Sequence, residues 1–184
     1  MSELLSERQS AAYLMILGFV VFTVGGILYT GRAIWTWPIA QTPRYLLWER
    51  GFVILALLAT VLGLVLLEDL LQQAGDSGVA RLGVVMYGLG AAVVVIAETS
   101  FLGTHEWAYP QVVFYVVIAF LAQALLGVSL LQTELVADWV GWITIIWNLG
   151  WLIMLLILSP RDIYFPVLHH MAPLIIGITL LVAS

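Results

Sequence analysis

Six apolar runs separated by short polar breaks account for almost the whole chain. They fall at about residues 11–29, 43–72, 82–102, 112–131, 139–158 and 163–183. A helix that crosses a bilayer needs about 20 mostly apolar residues, and each run reaches or approaches that length. The breaks carry turn chemistry at Asp76-Ser77-Gly78, Gly103-Thr104 and Ser159-Pro160. Thr42-Pro43 reads as the start of the second helix, with threonine as N-cap and proline in the first helical position. All but one break is short, so neighbouring helices are expected to be antiparallel and packed in sequence order. The pattern predicts an all-α polytopic membrane protein: a single transmembrane domain over residues 1–184, built as a compact bundle of six transmembrane helices.

The long connection runs from Gly31 to Gly51 and holds Trp35, Trp37, Tyr45 and Trp48 among Arg32, Arg44 and Arg50. Amphipathic aromatics with arginine suit the headgroup region of a bilayer. This stretch is expected to anchor the chain at the interface, with a lid over a site on that face as the sharper alternative.

Composition strengthens the membrane reading. Of 184 residues, 63% are hydrophobic and 9% charged, whereas soluble domains run at about 45–50% and about 25%. All six basic residues are arginines. The lack of lysine excludes Schiff-base chemistry and leaves no lysine cluster for nucleic acid, which is not an expected partner. The lack of cysteine excludes disulfides, thiolate metal sites and iron–sulfur ligation. Glu3 and Glu7 outnumber Arg8 near the N-terminus, unlike the positive start of a secretory signal, so the first run is expected to be retained.

Arginine counting orients the bundle. Arg32, Arg44, Arg50 and Arg161 fall in or beside the odd-numbered connections, against Arg8 and Arg81 on the other side. The positive-inside rule then puts the odd connections in the cytoplasm and both termini outside. Leu62-Gly-Leu-Val-Leu-Leu67 echoes Leu126-Gly-Val-Ser-Leu-Leu131. The echo reads as a parallel repeat or as the low complexity of a leucine-rich chain.

Ionisable groups inside a bilayer are functional candidates. His169 and His170 lie in the sixth run, His169 about 9 Å in at 1.5 Å per residue. Glu98 lies about 6 Å from the end of the third run by the same rise. Both belong to the odd-connection face, together with His105 and Glu106. The expected constellation is a proton relay or polar pocket made by Glu98 and a helix-six histidine. The plainer alternative is a pair of interfacial histidines bonded to backbone and headgroups. Adjacent helical residues point about 100° apart, so His169 and His170 do not make a metal box. A metal or haem site would need one of them with Glu98 and His105 from across the bundle. Pro173 removes a backbone N–H and would free the carbonyl of His169, notching the helix. Deeper polar residues include Gln123 on a stripe with Ala119 and Gly127, and Asn148 on a stripe with Thr144 and Trp151. Such stripes serve as helix–helix glue or line a polar pathway.

Asp138-Trp139-Val-Gly-Trp142-Ile-Thr144, taken with Leu62–Leu67, resembles uncharacterised six-helix bacterial integral membrane proteins that commonly have a Trp-Leu-Gly-Trp motif before their fifth helix. The resemblance implies a multi-pass protein of a bacterial inner membrane and carries no activity, cofactor or metal with it. Three functions remain open: a small transporter or membrane sensor with a polar pocket near one membrane face, a structural or accessory subunit of a larger membrane complex, and an intramembrane metal- or haem-binding protein. No catalytic set stands out. The partners expected are the lipid bilayer and other copies or subunits in the membrane.

Overall fold

The computed structural model describes residues 2–106, 108–158 and 168–182. Among the described residues the α-helices with defined bounds follow in order: α1 Ser2–Ala33, α2 Pro43–Gln73, α3 Val79–Thr104, α4 Tyr109–Thr133, α5 Asp138–Leu158 and α6 Met171–Val182. Among the described residues there is no strand. The first five helices are long and apolar enough to cross a membrane. Helix α6 has 12 residues, which at about 1.5 Å each span about 18 Å, short of the ~30 Å of a hydrocarbon core.

The sixth helix is where sequence and structure part. Of the run expected at 163–183, residues 163–167 lie outside the described residues. Leu168 and His169 are helical, His170 is a turn, and α6 starts at Met171. The helical path is thus broken at His170, beside the notch expected from Pro173. Pro173 sits in the first turn after the break and, lacking an N–H, cannot donate to the His169 carbonyl four residues back. The Leu174 N–H reaches back to the His170 carbonyl at 3.2 Å.

Each helix packs on its neighbour in sequence, and α6 lies against α1, closing the ring. Inward positions carry Leu57, Leu64, Leu67, Phe120, Leu126, Leu130 and Ile176. Outward positions are equally apolar, with Leu89 64% and Ile96 68% exposed. A helix set this apolar on both faces belongs in an apolar solvent. The leucine-glycine echo is not used symmetrically: a Cβ on Gly63 would meet Met15 of α1, whereas one on Gly127 would meet Gly141 and Ile145 of α5. One glycine packs toward the preceding helix and the other toward the following one, as chance resemblance would leave them.

The connection after α1 is tied down. The Tyr45 hydroxyl donates to the Leu28 carbonyl at 2.8 Å, and Pro38–Gln41 form a single 3-10 turn. Thr42 does not cap α2 with its side chain; its hydroxyl donates back to the Ile39 carbonyl at 2.9 Å. Trp35 and Trp48 stay exposed, as residues at a headgroup layer would.

Candidate functional site

The start of α6 lies inside the ring and touches all five other helices. The Trp147 indole N–H of α5 donates to the Leu168 carbonyl at 2.7 Å. Phe22 of α1 packs on the His170 ring with centroids 4.3 Å apart. Thr60 of α2 meets His170 Nδ1 at 3.4 Å. Tyr115 of α4 and Tyr87 of α3 approach His169 Nε2 at 2.6 and 3.2 Å. Both histidines are fully buried. Closure of the two tyrosine hydroxyls on each other, at 3.1 Å, makes a triangle with Nε2. Either hydroxyl can donate to the other, and the imidazole nitrogen donates or accepts according to its tautomer.

Thr60 extends the cluster. Its hydroxyl donates to the Ala56 carbonyl at 2.9 Å and lies 3.4 Å from His170 Nδ1. Tyr87 also faces Thr60. A continuous polar path therefore runs His170–Thr60–Tyr87–Tyr115–His169 through the centre of the bundle. Glycine at position 18 makes this possible, because a Cβ there would lie 2.2 Å from Thr60 Oγ1.

The two histidine rings lie 4.1 Å apart, closer than residues facing 100° apart on an unbroken helix would bring them, because the chain turns at His170. Their polar edges still diverge, His169 toward the tyrosines and His170 toward Thr60. Among the described residues no three His, Asp or Glu side chains are grouped so as to hold a metal ion.

Glu98 does not join this cluster. It is buried on α3 and accepts from Arg50 Nη1 of α2 at 2.8 Å. Arg50 also pairs with Glu49 at 3.1 Å, and Arg32 of α1 grips Glu49 with two bonds of 2.7 and 2.8 Å. Arg50 lies over the Phe101 ring at 4.6 Å. The result is a charge-balanced chain Arg32–Glu49–Arg50–Glu98 joining three helices, with the last three members almost fully buried. Sequence reasoning placed the two arginines at the interface and missed it. The signal was present: counted from Pro43, Glu49 and Arg50 lie about 9–10 Å inside α2 at 1.5 Å per residue, close to the depth of Glu98 in α3.

His105 and Glu106 sit at the exposed end of α3. The His105 backbone is left-handed (φ 58°) and its N–H caps the Phe101 carbonyl at 2.9 Å; Glu106 N–H donates to Thr104 at 3.1 Å. They face neither histidine of α6. Gln123 and Asn148 are buried at 1% and 0% exposure. Asn148 donates to the Thr144 carbonyl at 2.7 Å. An open groove of about 430 Å³, lined by apolar residues including Ile146, Trp147, Gly150 and Trp151, runs along the outside of α5.

Comparison with protein-family models, curated proteins and solved structures finds no match.

Proposed function

We propose that this chain is a multi-pass protein of a bacterial cell membrane that works as a small transporter or membrane sensor, with its ligand site in the polar layer around His169 and His170. One observation carries the reading. The last helical segment is broken at His170 inside the bundle, and the residues at the break bond to Tyr87 of α3, Tyr115 of α4, Thr60 of α2 and Trp147 of α5. Interrupted helices that start within the membrane are the usual way transporters present substrate and ion sites, since irregular backbone at that depth is tolerated only where protein or a cavity surrounds it. The Tyr–His triangle adds hydroxyl and imidazole groups that can donate and accept hydrogen bonds.

The test is a thermal-unfolding screen of purified protein in lipid nanodiscs against a broad panel of small solutes across pH 5 to 8. A ligand of the folded state raises Tm with concentration, and His169→Phe abolishes the response while the protein stays folded. A panel in which nothing shifts wild type more than His169→Phe contradicts the reading.

An accessory-subunit role draws support from a separate observation, the apolar groove on α5. It centres on Gly150, where a Cβ would meet nothing within 4 Å, a shape that fits a partner helix. A protein that runs as a monomer in mild detergent with no co-purifying partner counts against it.

A further inference from the structure

The polar layer extends beyond the histidines. Measured from the helix ends on one side of the bundle, Thr60, Tyr87, Gln123, Asn148 and His170 stand 8 to 13 residues in, about 12–20 Å at 1.5 Å per residue. Gln123 is ten residues before Thr133 and Asn148 ten after Asp138. Antiparallel α4 and α5, in contact at Gly127 and Gly141, therefore present the two amides at one level.

Most inward polar groups in this chain are satisfied locally. Thr60, Thr144 and Thr179 each donate to the carbonyl four residues back, and the buried carboxylates have arginine partners. Gln123 is the exception: among the described residues neither its Oε1 nor its Nε2 has a hydrogen-bond partner, and neither does Asn148 Oδ1 or His170 Nε2. An amide acting as glue between helices would bond across the interface, and this one does not. A buried polar group without a partner is costly to keep and calls for a reason.

We infer that Gln123 and Asn148, at one level of adjoining α4 and α5, form together with His170 at the same depth a binding site for an uncharged solute rich in O–H or N–H donors, such as a polyol, a urea or a primary amide. The inference rests on the transporter or sensor reading and supplies its ligand class. In these three residues the unpartnered atoms are two amide oxygens, one amide nitrogen and one imidazole nitrogen, so the complement must offer at least two donors. It must also be neutral. The charged chain Arg32–Glu49–Arg50–Glu98 is balanced within itself, and Glu98 lies 11 residues along α3 from Tyr87, about 16 Å away. An ion in the layer would lose its hydration with no counter-charge beside it. All four atoms are shut off from solvent, so the ligand enters when helices part.

The experiment uses the full chain in nanodiscs, with glycerol, urea and acetamide as probes and formate and methylammonium as charged controls, read by thermal unfolding. At least one uncharged probe raises Tm in a concentration-dependent manner, and Gln123→Leu and Asn148→Leu each weaken that response roughly tenfold, the loss of one or two hydrogen bonds. Without probe, Gln123→Leu is at least as stable as wild type, because the unpartnered amide is gone; Gln123→Met serves as the second variant if leucine overpacks. A response to the charged controls that survives Gln123→Leu overturns this inference and leaves the transporter or sensor reading intact. Loss of stability in both Gln123 variants shows a structural amide and overturns it equally. Silence from all five probes also overturns it, whereas the broader reading falls only with the full solute panel.

Discussion

The Tyr115 hydroxyl lies 2.6 Å from His169 Nε2, bonding the fourth helix to the residue just before the sixth. Tyr87 reaches the same nitrogen at 3.2 Å. The two contacts are unequal, and their loss should be too. Tyr115→Phe is expected to cost about 1–3 kcal/mol, the range for a buried polar group deprived of its partner. Tyr87→Phe should cost less, since Nε2 keeps its shorter bond. Chemical unfolding of both variants in the same detergent checks the order.

The ion chain makes a different prediction. Glu98→Leu leaves two arginines facing one carboxylate inside the bundle and is expected to destabilise by about 3–5 kcal/mol, as for other broken buried pairs. Arg50→Leu leaves the opposite excess. The double variant removes a neutral pair and should recover much of either loss. A double-mutant cycle with no coupling would mean that the pair does not exist in solution.

Gly18 tests the fit around Thr60. In Gly18→Ala the new Cβ collides with the Thr60 hydroxyl, displacing it from His170, and overpacking of this kind costs about 1–3 kcal/mol. Thr60→Ala removes the colliding atom, so the double variant should be more stable than Gly18→Ala alone. Thermal unfolding of the four proteins decides it.

Asp76, in the connection between α2 and α3, sets a pH limit. Burial pushes its carboxyl up, but the Ser129 hydroxyl and the N–H groups of Gly78, Ala80 and Ser77 outweigh that and hold it below its ordinary value. A pKa depressed in the folded state contributes stability above the unfolded value of about 3.9, and that contribution is lost as pH falls through the folded pKa. Asp76→Asn should therefore lower stability at pH 6 and flatten its fall between pH 4 and pH 2. An unchanged profile in the variant would count against these bonds.

Much of the helical layout was legible because each apolar run is long and bounded by turn residues, as at Asp76-Ser-Gly78. His169 and His170 stood out because ionisable groups are rare in such runs. What surrounds them was hidden. Tyr87 and Tyr115 lie in stretches apolar on every face, so no periodicity marks which side points inward. Pro173 pointed to a break near the His169 carbonyl, and the turn at His170 lies beside it. Arg50 looked interfacial because its partner, Glu98, is 48 residues away. The expected Glu98–histidine pair gives way to two separate networks for the same reason: each residue found a partner that sequence distance concealed.

The account depends on the break at His170 lying in the middle of the bundle, and the chain has no cysteine to complicate a direct test. Pairs of cysteines at Phe22 and His170, or at Arg32 and His170, can be probed with a short bifunctional thiol reagent in native membranes. Phe22 lies against His170, while Arg32 is ten residues further along α1, about 15 Å away. Efficient cross-linking of the first pair and none of the second is the predicted result. Cross-linking at Arg32 with none at Phe22 would place the histidines at the end of the bundle and contradict the account.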